Sequence, residues 1–504
     1  MNLAIRYQLL LIMLMAALVY AAVLFLPYFH ASSGYFSTDG GTYLYSRDVV
    51  MRGLGIEAWD RAMVRPPLAP GWALVPFLPF GDAVGLRLWS ILGIVLTIPA
   101  AYYFSRSFLT PNQSVVVAAL TGFDLWIIHG FVAGALVLYA WCLLAVALRP
   151  VIDWAHGVSD KRRIAFMAAA LALLPFVNQT FAGLCVIVFA VAMPMALFAR
   201  YRQKLPIVRQ RMWIGLASGG AIALLALPWY LGVAPGSEVA RYDYPWLELT
   251  PRIAFMSAAM ICVVMLVPRG GYAVRMLQAL LCVLAVMMMF FSGDEAITNL
   301  FYRALFVAAM FYLPLLVYVA GLLGLGRKVA VAAICVMVAA SVYWVEGNTG
   351  DMDYAPDEMV RAIKWMEERT DADDFVIADN WHLSKWVQGS AEVEAMTLWH
   401  GEAGAPRAHQ QMSNDGLCIV GWMECDLAAA YGRWQPKYYL SHVGLSKMMT
   451  IHDENMIGGL PHDELLALTD ELPYTRLVFS EGVARVWELD TEYLRGQISS
   501  VQGQ

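Results

Sequence analysis

The sequence predicts an α-helical polytopic membrane protein with about eleven transmembrane helices, followed by an extracytoplasmic domain of α/β or α+β type. Hydrophobic residues make up 60% of its 504 residues, charged residues only 15%, and the mean hydropathy is +0.57. Ordinary soluble domains are about half apolar and about a quarter charged. Apolar runs that suit membrane spans recur as far as residue 345, where the composition changes.

The first apolar run, residues 9–29, contains 21 uncharged residues. As a helix rising about 1.5 Å per residue, it crosses a hydrocarbon layer of roughly 30 Å. The alternative is a cleaved signal peptide, but the apolar core is too long for one and no small-x-small cleavage site follows it. We therefore expect this run to form the first span.

Ten further apolar runs complete the predicted set of spans. They cover residues 83–104, 115–126, 132–148, 164–177, 184–199, 213–233, 253–267, 276–291, 304–325 and 329–345. One connection between them, 200–212, is strongly basic and contains no acid; its basic residues are Arg200, Arg202, Lys204, Arg209 and Arg211. Because basic connections favour the cytoplasmic side, we expect a cytoplasmic amino terminus and, with an odd number of spans, an outer carboxyl terminus.

Residues 346–504 differ in charge from the preceding 345. They hold 27 of the 40 acidic residues and 11 of the 34 basic ones, a net charge of −16. We therefore predict a transmembrane domain at 1–345, with a first outer loop at 30–82, and a separate outer domain at 346–504. Helix-like and strand-like segments alternate in this outer domain: 358–368, 375–377, 463–468, 476–479 and 483–487. Its acidity argues against a nucleic-acid partner.

The seven cysteines fall into two groups. Five lie in predicted spans, where they are expected to be small apolar packing residues. Cys418 and Cys425 lie in the predicted outer domain, where oxidation is permitted. A turn between them would allow a disulfide, whereas one straight helix would separate them by about 10.5 Å, too far for a bond. The sequence leaves both arrangements open.

Charge placement favours an enzyme over a transporter. Carriers usually place ionisable residues near the bilayer midplane, where ions are handed on. Here Asp124 is the only acid well inside a span-like region, and it falls near the outer end of the third predicted span. Other charges concentrate in the predicted outer connections. This pattern favours chemistry at the membrane surface, with a carrier as the alternative.

The first predicted outer loop carries a distinctive motif series. Its motifs are Asp39-Gly40-Gly41-Thr42-Tyr43, Arg47-Asp48 and Arg65-Pro66-Pro67-Leu68. This series resembles the first periplasmic loop of GT-C glycosyltransferases, in the branch that includes the aminoarabinose transferase and protein O-mannosyltransferases. The resemblance covers residues 30–150 by motif and the rest by architecture. It implies a GT-C architecture and an inverting transfer of a sugar from a polyprenyl-phosphate donor to an acceptor hydroxyl.

Such a transfer requires a base for the hydroxyl proton as the oxygen attacks the anomeric carbon. Asp39 is the candidate base, because glycines follow it and let the backbone approach a substrate closely. The alternative for Asp39 is a simple Asp-Gly turn. Asp48 and Asp60 are weaker candidates, since Arg47 and Arg52 beside Asp48 suit a solvated ion-pair network.

The departing phosphate calls for cations. Arg65, beside the rigid Pro-Pro step, is one candidate, with snorkelling to lipid headgroups as its alternative. Arg303 resembles the arginine that opens a late span in GT-C enzymes; its alternative is interface anchoring. The other candidate substrate-binding residues are Tyr43, Asp48, Asp294, Glu295 and His129.

The sequence departs from the GT-C pattern at two places. Gly40 stands where an acidic partner often follows the catalytic aspartate, and no obvious carboxylate follows the third predicted span. Asp124 or His129 is a candidate substitute there. The need for a metal is therefore left open: no cofactor is certain, and a divalent cation, Mg²⁺ or Mn²⁺, is one option. The histidines lack any recognised ligand spacing, so we predict no zinc site.

These features predict a multi-pass protein of a prokaryotic cytoplasmic membrane that acts on cell-envelope glycans. The expected partners are membrane lipid, a polyprenyl-phosphate-linked sugar and a glycan, lipid or protein acceptor. The alternatives are a lipid-linked sugar flippase, an O-antigen-ligase-like enzyme and an oligosaccharyltransferase-like enzyme. The Trp-Trp-Asp-Tyr-Gly signature of oligosaccharyltransferases is absent.

Overall fold

All the regular secondary structure described in the predicted membrane part is helical. The computed structural model describes residues 3–25, 74–124, 136–206, 210–224, 270–291, 298–326, 357–371, 374–379, 381–391, 393–398, 407–442 and 462–502, and positions 43, 44, 47, 51, 127, 329, 332, 335, 336 and 339. The helices of the first part are α1 Leu3–Phe25, α2 Asp82–Ser105, α3 Pro111–Gly122, α4 Leu136–Ala155, α5 Lys161–Val177, α6 Gln179–Arg202, α7 Gln210–Ala223, α8 Tyr272–Phe291 and α9 Thr298–Leu322. A 3₁₀ helix, Val75–Phe80, precedes α2.

Four of these helices are long and apolar enough to cross a membrane, within the residues described. The four segments are Leu3–Phe25, Val84–Ser105, Leu136–Ala155 and Phe181–Arg202. Two shorter apolar stretches are Tyr272–Val286 and Phe306–Leu322. The chain is therefore a membrane protein by its helices, while the predicted total of eleven spans stays a prediction. Predicted span 253–267 lies outside the described residues, and only single positions of 329–345 are described.

Local sequence signals set several helix starts. Thr110 and Gln113 form a capping box at α3: the Gln113 amide donates to Thr110 Oγ1 over 3.4 Å, and the Thr110 amide donates to Gln113 Oε1 over 3.1 Å. Pro111 follows as the first helical residue, where its missing N–H costs no hydrogen bond. Asp160 caps α5 by accepting from the Arg162 amide at 2.9 Å.

Helix α4 lies at the centre of this bundle. It packs against α5, α6 and α9. In its most apolar 18-residue stretch, 72% is buried inside the protein, compared with 28% for α1. Buried polar groups join it to its neighbours: Tyr139 donates to the Trp89 carbonyl over 2.8 Å, and the Trp141 indole donates to the Phe306 carbonyl over 2.9 Å. Most of α1 faces outward with leucine and methionine side chains, which suits contact with lipid.

The carboxyl-terminal part is a mixed α/β structure. Its elements are α10 Asp357–Glu367, β1 Phe375–Ala378, α11 Trp381–Ser390, β2 Glu394–Thr397, α12 Arg407–Ile419, α13 Leu427–Trp434, β3 Tyr438–His442, α14 His462–Glu471, β4 Thr475–Glu481, β5 Ala484–Leu489 and α15 Thr491–Gln502. The predicted helix-like and strand-like segments lie in α10, β1, α14, β4 and β5. The outer location of this part stays a prediction.

The five strands form one sheet in the order β2-β1-β3-β5-β4. Strand β1 pairs in parallel with β2 and with β3, so Ile377 is opposite Met396 on one side and Tyr439 on the other. Strand β5 pairs antiparallel with β3 and β4. Because β1 has parallel partners on both sides, the crossovers on its two sides leave in opposite directions.

An aromatic core covers the sheet. The rings of Tyr439 and Trp487 stack with centroids 5.0 Å apart, and Trp422 meets Tyr439 edge-on at 6.0 Å. Tyr439 and Trp487 are fully buried, and they belong to a cluster that also includes Ile377 and Met396. Burial of these large rings adds to the hydrophobic stabilisation that the aliphatic members of the cluster provide.

Cys418 and Cys425 form a disulfide, which resolves the two arrangements that the sequence leaves open. Helix α12 ends at Ile419, and Gly421 adopts a left-handed conformation with φ of 81°. The chain therefore turns between the cysteines, and their Cα atoms lie 5.8 Å apart, within the range for a bond.

The chain divides into two compact units. The first comprises Met1–Ala31, Arg87–Gly232 and Tyr244–Asp353, and the second Ser32–Leu86, Val233–Asp243 and Tyr354–Gln504. Most of the predicted first outer loop, 30–82, thus groups with the carboxyl-terminal residues. The predicted boundaries 1–345 and 346–504 follow composition alone and stay a prediction.

Glycines let α5 and α7 approach closely. A β-carbon at Gly219 would lie 2.8 Å from the Ala168 carbonyl oxygen and 3.1 Å from the Ala168 Cα, and one at Gly215 would lie 2.5 Å from Ile164 Cγ2. The obstacle at Gly219 is backbone, which cannot rotate away as a side chain can. Contact between these two helices therefore depends on the missing side chain.

We expect Gly219→Ala to destabilise the membrane unit by about 1–3 kcal/mol, because the added methyl group pushes α5 and α7 apart. Unfolding of the purified protein by SDS in mixed micelles measures the change. Gly220→Ala is the matched control, because nothing lies within 4 Å of a β-carbon at that position. Equal stability of the two variants would contradict the close packing described here.

Candidate functional site

The helix bundle of the membrane unit has two distinguishable ends. At one of them, which we name the Asp124 end, α1 and α3 finish and α2 and α4 begin. Two contacts establish it: the Tyr20 hydroxyl donates to the Gly122 carbonyl over 2.8 Å, and the Arg87 guanidinium lies 5.5 Å from the centre of the Phe25 ring. The last turns of α1 therefore meet the end of α3 and the start of α2.

Helices α8 and α9 meet the same end. Near its start, α9 accepts a hydrogen bond at Phe306 from Trp141, which lies in the second turn of α4. The opposite terminus of the bundle contains the start of α8, because the Tyr272 ring lies 6.1 Å from His156, just beyond α4. Since α8 packs along α9, its last residues lie at the Asp124 end.

Three connections therefore leave and re-enter the bundle at this end: 26–73, 125–135 and 292–297. They hold most of the residues predicted to form the site, namely Asp39, Asp48, Arg65, His129, Asp294 and Glu295, all of which lie outside the described residues. Arg303 belongs to the second turn of α9, and its side chain is also outside the described part. Their predicted roles stay predictions.

Two residues of the first connection are described. Tyr43, predicted to bind substrate, has a buried side chain. Arg47 is also buried and forms a salt bridge with Asp82, the first residue of α2. The solvated ion-pair network suggested for Arg47 is therefore wrong for this residue, because its guanidinium is buried and pairs with Asp82. The pairing could not be predicted from the sequence, because the two partners are 35 positions apart along the chain.

Asp124 is the described carboxylate that lies deepest at this end, with 4% of its surface exposed. It accepts a hydrogen bond from the Tyr312 hydroxyl of α9, and the Ile127 amide donates to its other oxygen over 3.4 Å. One residue before it, the Phe123 ring stacks on Tyr20 at 6.1 Å. Asp124 thus joins the end of α3 to α9, beside α1.

These contacts suit a structural role for Asp124, as a carboxylate that accepts hydrogen bonds from neighbouring segments. A buried carboxylate is costly unless donors surround it, and ionisable groups in membrane segments often mark functional positions. The sequence places Asp124 correctly near the end of the third predicted span, but it gives no signal for Tyr312, which lies 188 residues away. The suggestion that Asp124 replaces a missing second catalytic carboxylate stays a prediction.

The carboxyl-terminal unit contains a second polar cluster, at the carboxyl ends of β1 and β3. Asp379 follows β1 and accepts hydrogen bonds from the Tyr439 hydroxyl, the Ser441 hydroxyl and the His442 amide, the last over 3.1 Å. Open α/β sheets often bind ligands at such a position, where the crossovers diverge. Here the aspartate itself bridges the two strands. Burial, followed by the nearby Asp379 charge, raises the pKa of Tyr439 well above its usual value.

His442 is buried beside this cluster, and its Nε2 lies 3.5 Å from Glu358 Oε1 on α10. Burial lowers the pKa of His442 below its ordinary value, although Glu358 and Asp379 act in the opposite direction. The ring is consequently neutral near pH 7. Within the described residues, no group of three or more histidine, cysteine, aspartate or glutamate side chains is placed to hold a metal ion.

Two solved structures resemble this chain over most of its length. AftD, an arabinofuranosyltransferase from Mycobacteria, superposes with a TM-score of 0.59 at 15% sequence identity, over 96% of this chain and 40% of AftD. AglB, the oligosaccharyltransferase of Archaeoglobus fulgidus, solved with an inhibitory peptide and a dolichol-phosphate, gives a TM-score of 0.55 at 12% identity, over 97% of this chain and 75% of AglB. Both are GT-C glycosyltransferases.

The chain has a GT-C fold. No family model and no curated protein matches its sequence. This chain spans about two fifths of the length of AftD. The resemblance suggested by the first-loop motifs is therefore confirmed for the fold. The reaction and the substrates of this protein stay predictions.

We expect Tyr312→Phe to destabilise the membrane unit by about 1–3 kcal/mol, because the buried Asp124 carboxylate loses a donor. Unfolding by SDS measures the change. Tyr318→Phe, two turns further along α9, is the control: within the described part its hydroxyl has no hydrogen-bond partner. If Tyr312→Phe lowers stability no more than Tyr318→Phe does, the hydrogen bond to Asp124 does not stabilise the membrane unit.

The pKa of His442 predicts a pH dependence of the carboxyl-terminal unit. The folded pKa is lowered, so the unfolded chain binds a proton more readily; stability is complete above the unfolded value of about 6.5 and declines as the pH falls below it. Amide hydrogen exchange of β3 peptides, corrected for the intrinsic rate, should therefore show more opening at pH 5.5 than at pH 7.5. His442→Gln should remove part of this difference; an identical pH response would exclude His442 as its source.

Proposed function

We propose that this protein is an integral-membrane inverting glycosyltransferase that moves a sugar from a polyprenyl-phosphate donor to an acceptor hydroxyl at the outer face of the cytoplasmic membrane. The observation that carries the proposal is the GT-C fold over nearly the whole chain, with 96% of it matched to AftD. The AglB structure contains a dolichol-phosphate, a lipid of the same chemical class as the proposed donor carrier.

In the proposed reaction, the acceptor oxygen attacks the anomeric carbon while the bond from that carbon to the phosphate oxygen breaks. Asp39 takes the hydroxyl proton, and polyprenyl phosphate leaves with the bonding electron pair. Arg65 and Arg303 balance the negative charge of the departing phosphate. Tyr43, Asp48 and the pair Asp294 and Glu295 are proposed to line the substrate site.

The topology of the membrane unit supports this assignment. Helices α1, α3 and α8 precede the connections that contain Asp39, His129 and Asp294 in the sequence, and all three end on the side of the bundle where α9 begins, five residues before Arg303. A one-sided site suits a reaction between a membrane-embedded donor and an acceptor at the surface. A carrier would need access from both ends.

Two features bear on the orientation of the chain in the membrane. Disulfides persist in oxidising compartments, so the Cys418–Cys425 bond suits a carboxyl-terminal unit outside the cytoplasm. The opposite end of the bundle contains the basic turn 200–206, which suits the cytoplasmic side. The proposed topology therefore has a cytoplasmic amino terminus.

A divalent cation, Mg²⁺ or Mn²⁺, is a secondary part of the proposal. Asp294 and Glu295 are adjacent carboxylates, and hard divalent cations prefer oxygen ligands. Such an ion would share the charge of the departing phosphate with the arginines. The sugar and the acceptor, whether glycan, lipid or protein, are not specified by these residues.

We expect Asp39→Asn to lower turnover by about a hundredfold or more, because an amide cannot accept the hydroxyl proton. The assay follows the release of polyprenyl phosphate from a donor lipid by purified wild type and variant. Asp60→Asn, in the same connection, is the matched control and should keep most of the activity.

Equal turnover in wild type and Asp39→Asn would remove Asp39 as the base. If the wild type releases no polyprenyl phosphate but moves intact donor lipid across the membrane of proteoliposomes, the protein is a flippase instead. The two results separate an error in the residue from an error in the reaction.

A further inference from the structure

The end of the bundle opposite Asp124 carries an unusual concentration of basic side chains. We name it the Arg200 end; α4 and α6 finish there, and α5 and α7 begin. The Trp154 and Trp213 rings meet edge-on at 6.2 Å, which brings α4 against α7. A β-carbon at Gly157, in the turn after α4, would lie 3.1 Å from Leu205 in the turn after α6. The two turns are therefore neighbours.

Five exposed basic residues surround these turns, and together we name them the basic rim. They are Lys161, Arg162, Arg202, Lys204 and Arg211. Lys161 and Arg162 start α5, Arg202 ends α6, and Arg211 lies one turn before Gly215, which packs against Ile164 of α5. Three helix termini thus bring their positive charge to one end of one bundle.

The acidic side chains nearby are already engaged by other arginines. Asp153 pairs with Arg149 at 3.3 Å and also with Arg163, while Asp160 caps α5 and lies 3.5 Å from Arg163. Within the described residues, no member of the basic rim forms a salt bridge. The rim consequently presents about five positive charges that the described part of the protein does not neutralise.

A buried arginine holds the turn that presents two of these charges. Arg200 is 1% exposed, donates to the Pro206 carbonyl over 3.0 Å and to the Trp154 carbonyl, and lies 4.6 Å from the centre of the Trp154 ring. The Leu205 amide donates to the Arg200 carbonyl over 2.9 Å, with Lys204 in a left-handed conformation. Arg202 and Lys204 therefore project from a fixed turn, which limits the ordering cost of binding.

Exposed apolar side chains adjoin the rim. Tyr201 is 72% exposed, Phe166 59% and Trp213 41%, and each lies within one or two turns of a rim residue. Aromatic rings beside basic residues at the ends of apolar helices are typical of the boundary between membrane and water. A phospholipid can therefore contact the basic side chains with its headgroup and the exposed aromatic rings with its acyl chains.

We propose that the basic rim binds the phosphodiester headgroups of anionic phospholipids in the leaflet that meets the Arg200 end. The partner is a lipid rather than an acidic protein, because the charges are continuous with exposed aromatic and aliphatic side chains on apolar helices. This proposal uses none of the residues assigned to the proposed glycosyl transfer and does not depend on it.

The test compares lipid binding by the full chain and by a variant in which Arg202, Lys204 and Arg211 are all replaced by glutamine. Native mass spectrometry of the protein in micelles with equimolar phosphatidylglycerol and phosphatidylcholine measures the ratio of bound lipids. Each basic residue near an anionic surface contributes about fivefold, so the variant should lose at least about tenfold of the wild-type preference for phosphatidylglycerol.

A control variant replaces Lys364, Arg369 and Arg476 of the carboxyl-terminal unit with glutamine and so changes the net charge equally. It should keep the wild-type preference. An unchanged preference in the rim variant, or an equal loss in the control, would overturn the proposal. Displacement of the lipid by the same concentration of inorganic phosphate would also overturn it, since the site would then recognise the free anion.

A measurement on the wild type keeps the proposal testable if the rim variant does not fold. The preference for phosphatidylglycerol should fall steeply as salt rises from about 0.05 to about 0.5 M, because mobile ions screen exposed charges. A preference that does not depend on salt would exclude the basic rim as its cause.

Discussion

The membrane unit depends on one constraint: within hydrocarbon, every backbone amide and carbonyl must find its partner inside the protein. Helices satisfy that requirement within a single segment, except for the amides of the first turn and the carbonyls of the last. Successive connections therefore emerge at opposite ends of the bundle. Asp124 follows the end of α3 and Arg200 lies near the end of α6, two helices that run in opposite directions.

Near each end, the few buried polar groups replace interactions that water would otherwise provide. Asp124 relies on the Tyr312 hydroxyl and the Ile127 amide, and Arg200 relies on backbone carbonyls and the Trp154 ring. Such groups fix how neighbouring helices meet, since a half-satisfied polar group in this environment is costly. The central helix α4 has a buried tryptophan near each of its ends. The Trp141 indole donates to the Phe306 carbonyl, and the Trp154 ring contacts Arg200.

Much of this could be predicted from the sequence, because hydropathy and motifs are local properties. The membrane class, the helical segments now described as α1 to α9 and the GT-C fold follow from runs and motifs along the chain. The pairing of Arg47 with Asp82 could not be predicted, since it depends on how a connection of unknown path folds back. The Cys418–Cys425 bond was undecided for a related reason: it depends on the turn at Gly421, which composition alone does not reveal. For the same reason Tyr312 gave no signal for its contact with Asp124.

The order of strands in the sheet has a consequence for biogenesis. Strand β5 separates β3 from β4, although it is the last of the five along the chain. A ribosome releases β1, β2 and β3 well before β5, so the growing chain first exposes an open edge at β3 that only residues 484–489 can cover. Until then, that edge is a template on which foreign strands can add. Synthesis of this unit therefore passes through an interval in which chaperone protection would be most valuable, and the interval closes only as the final hairpin arrives.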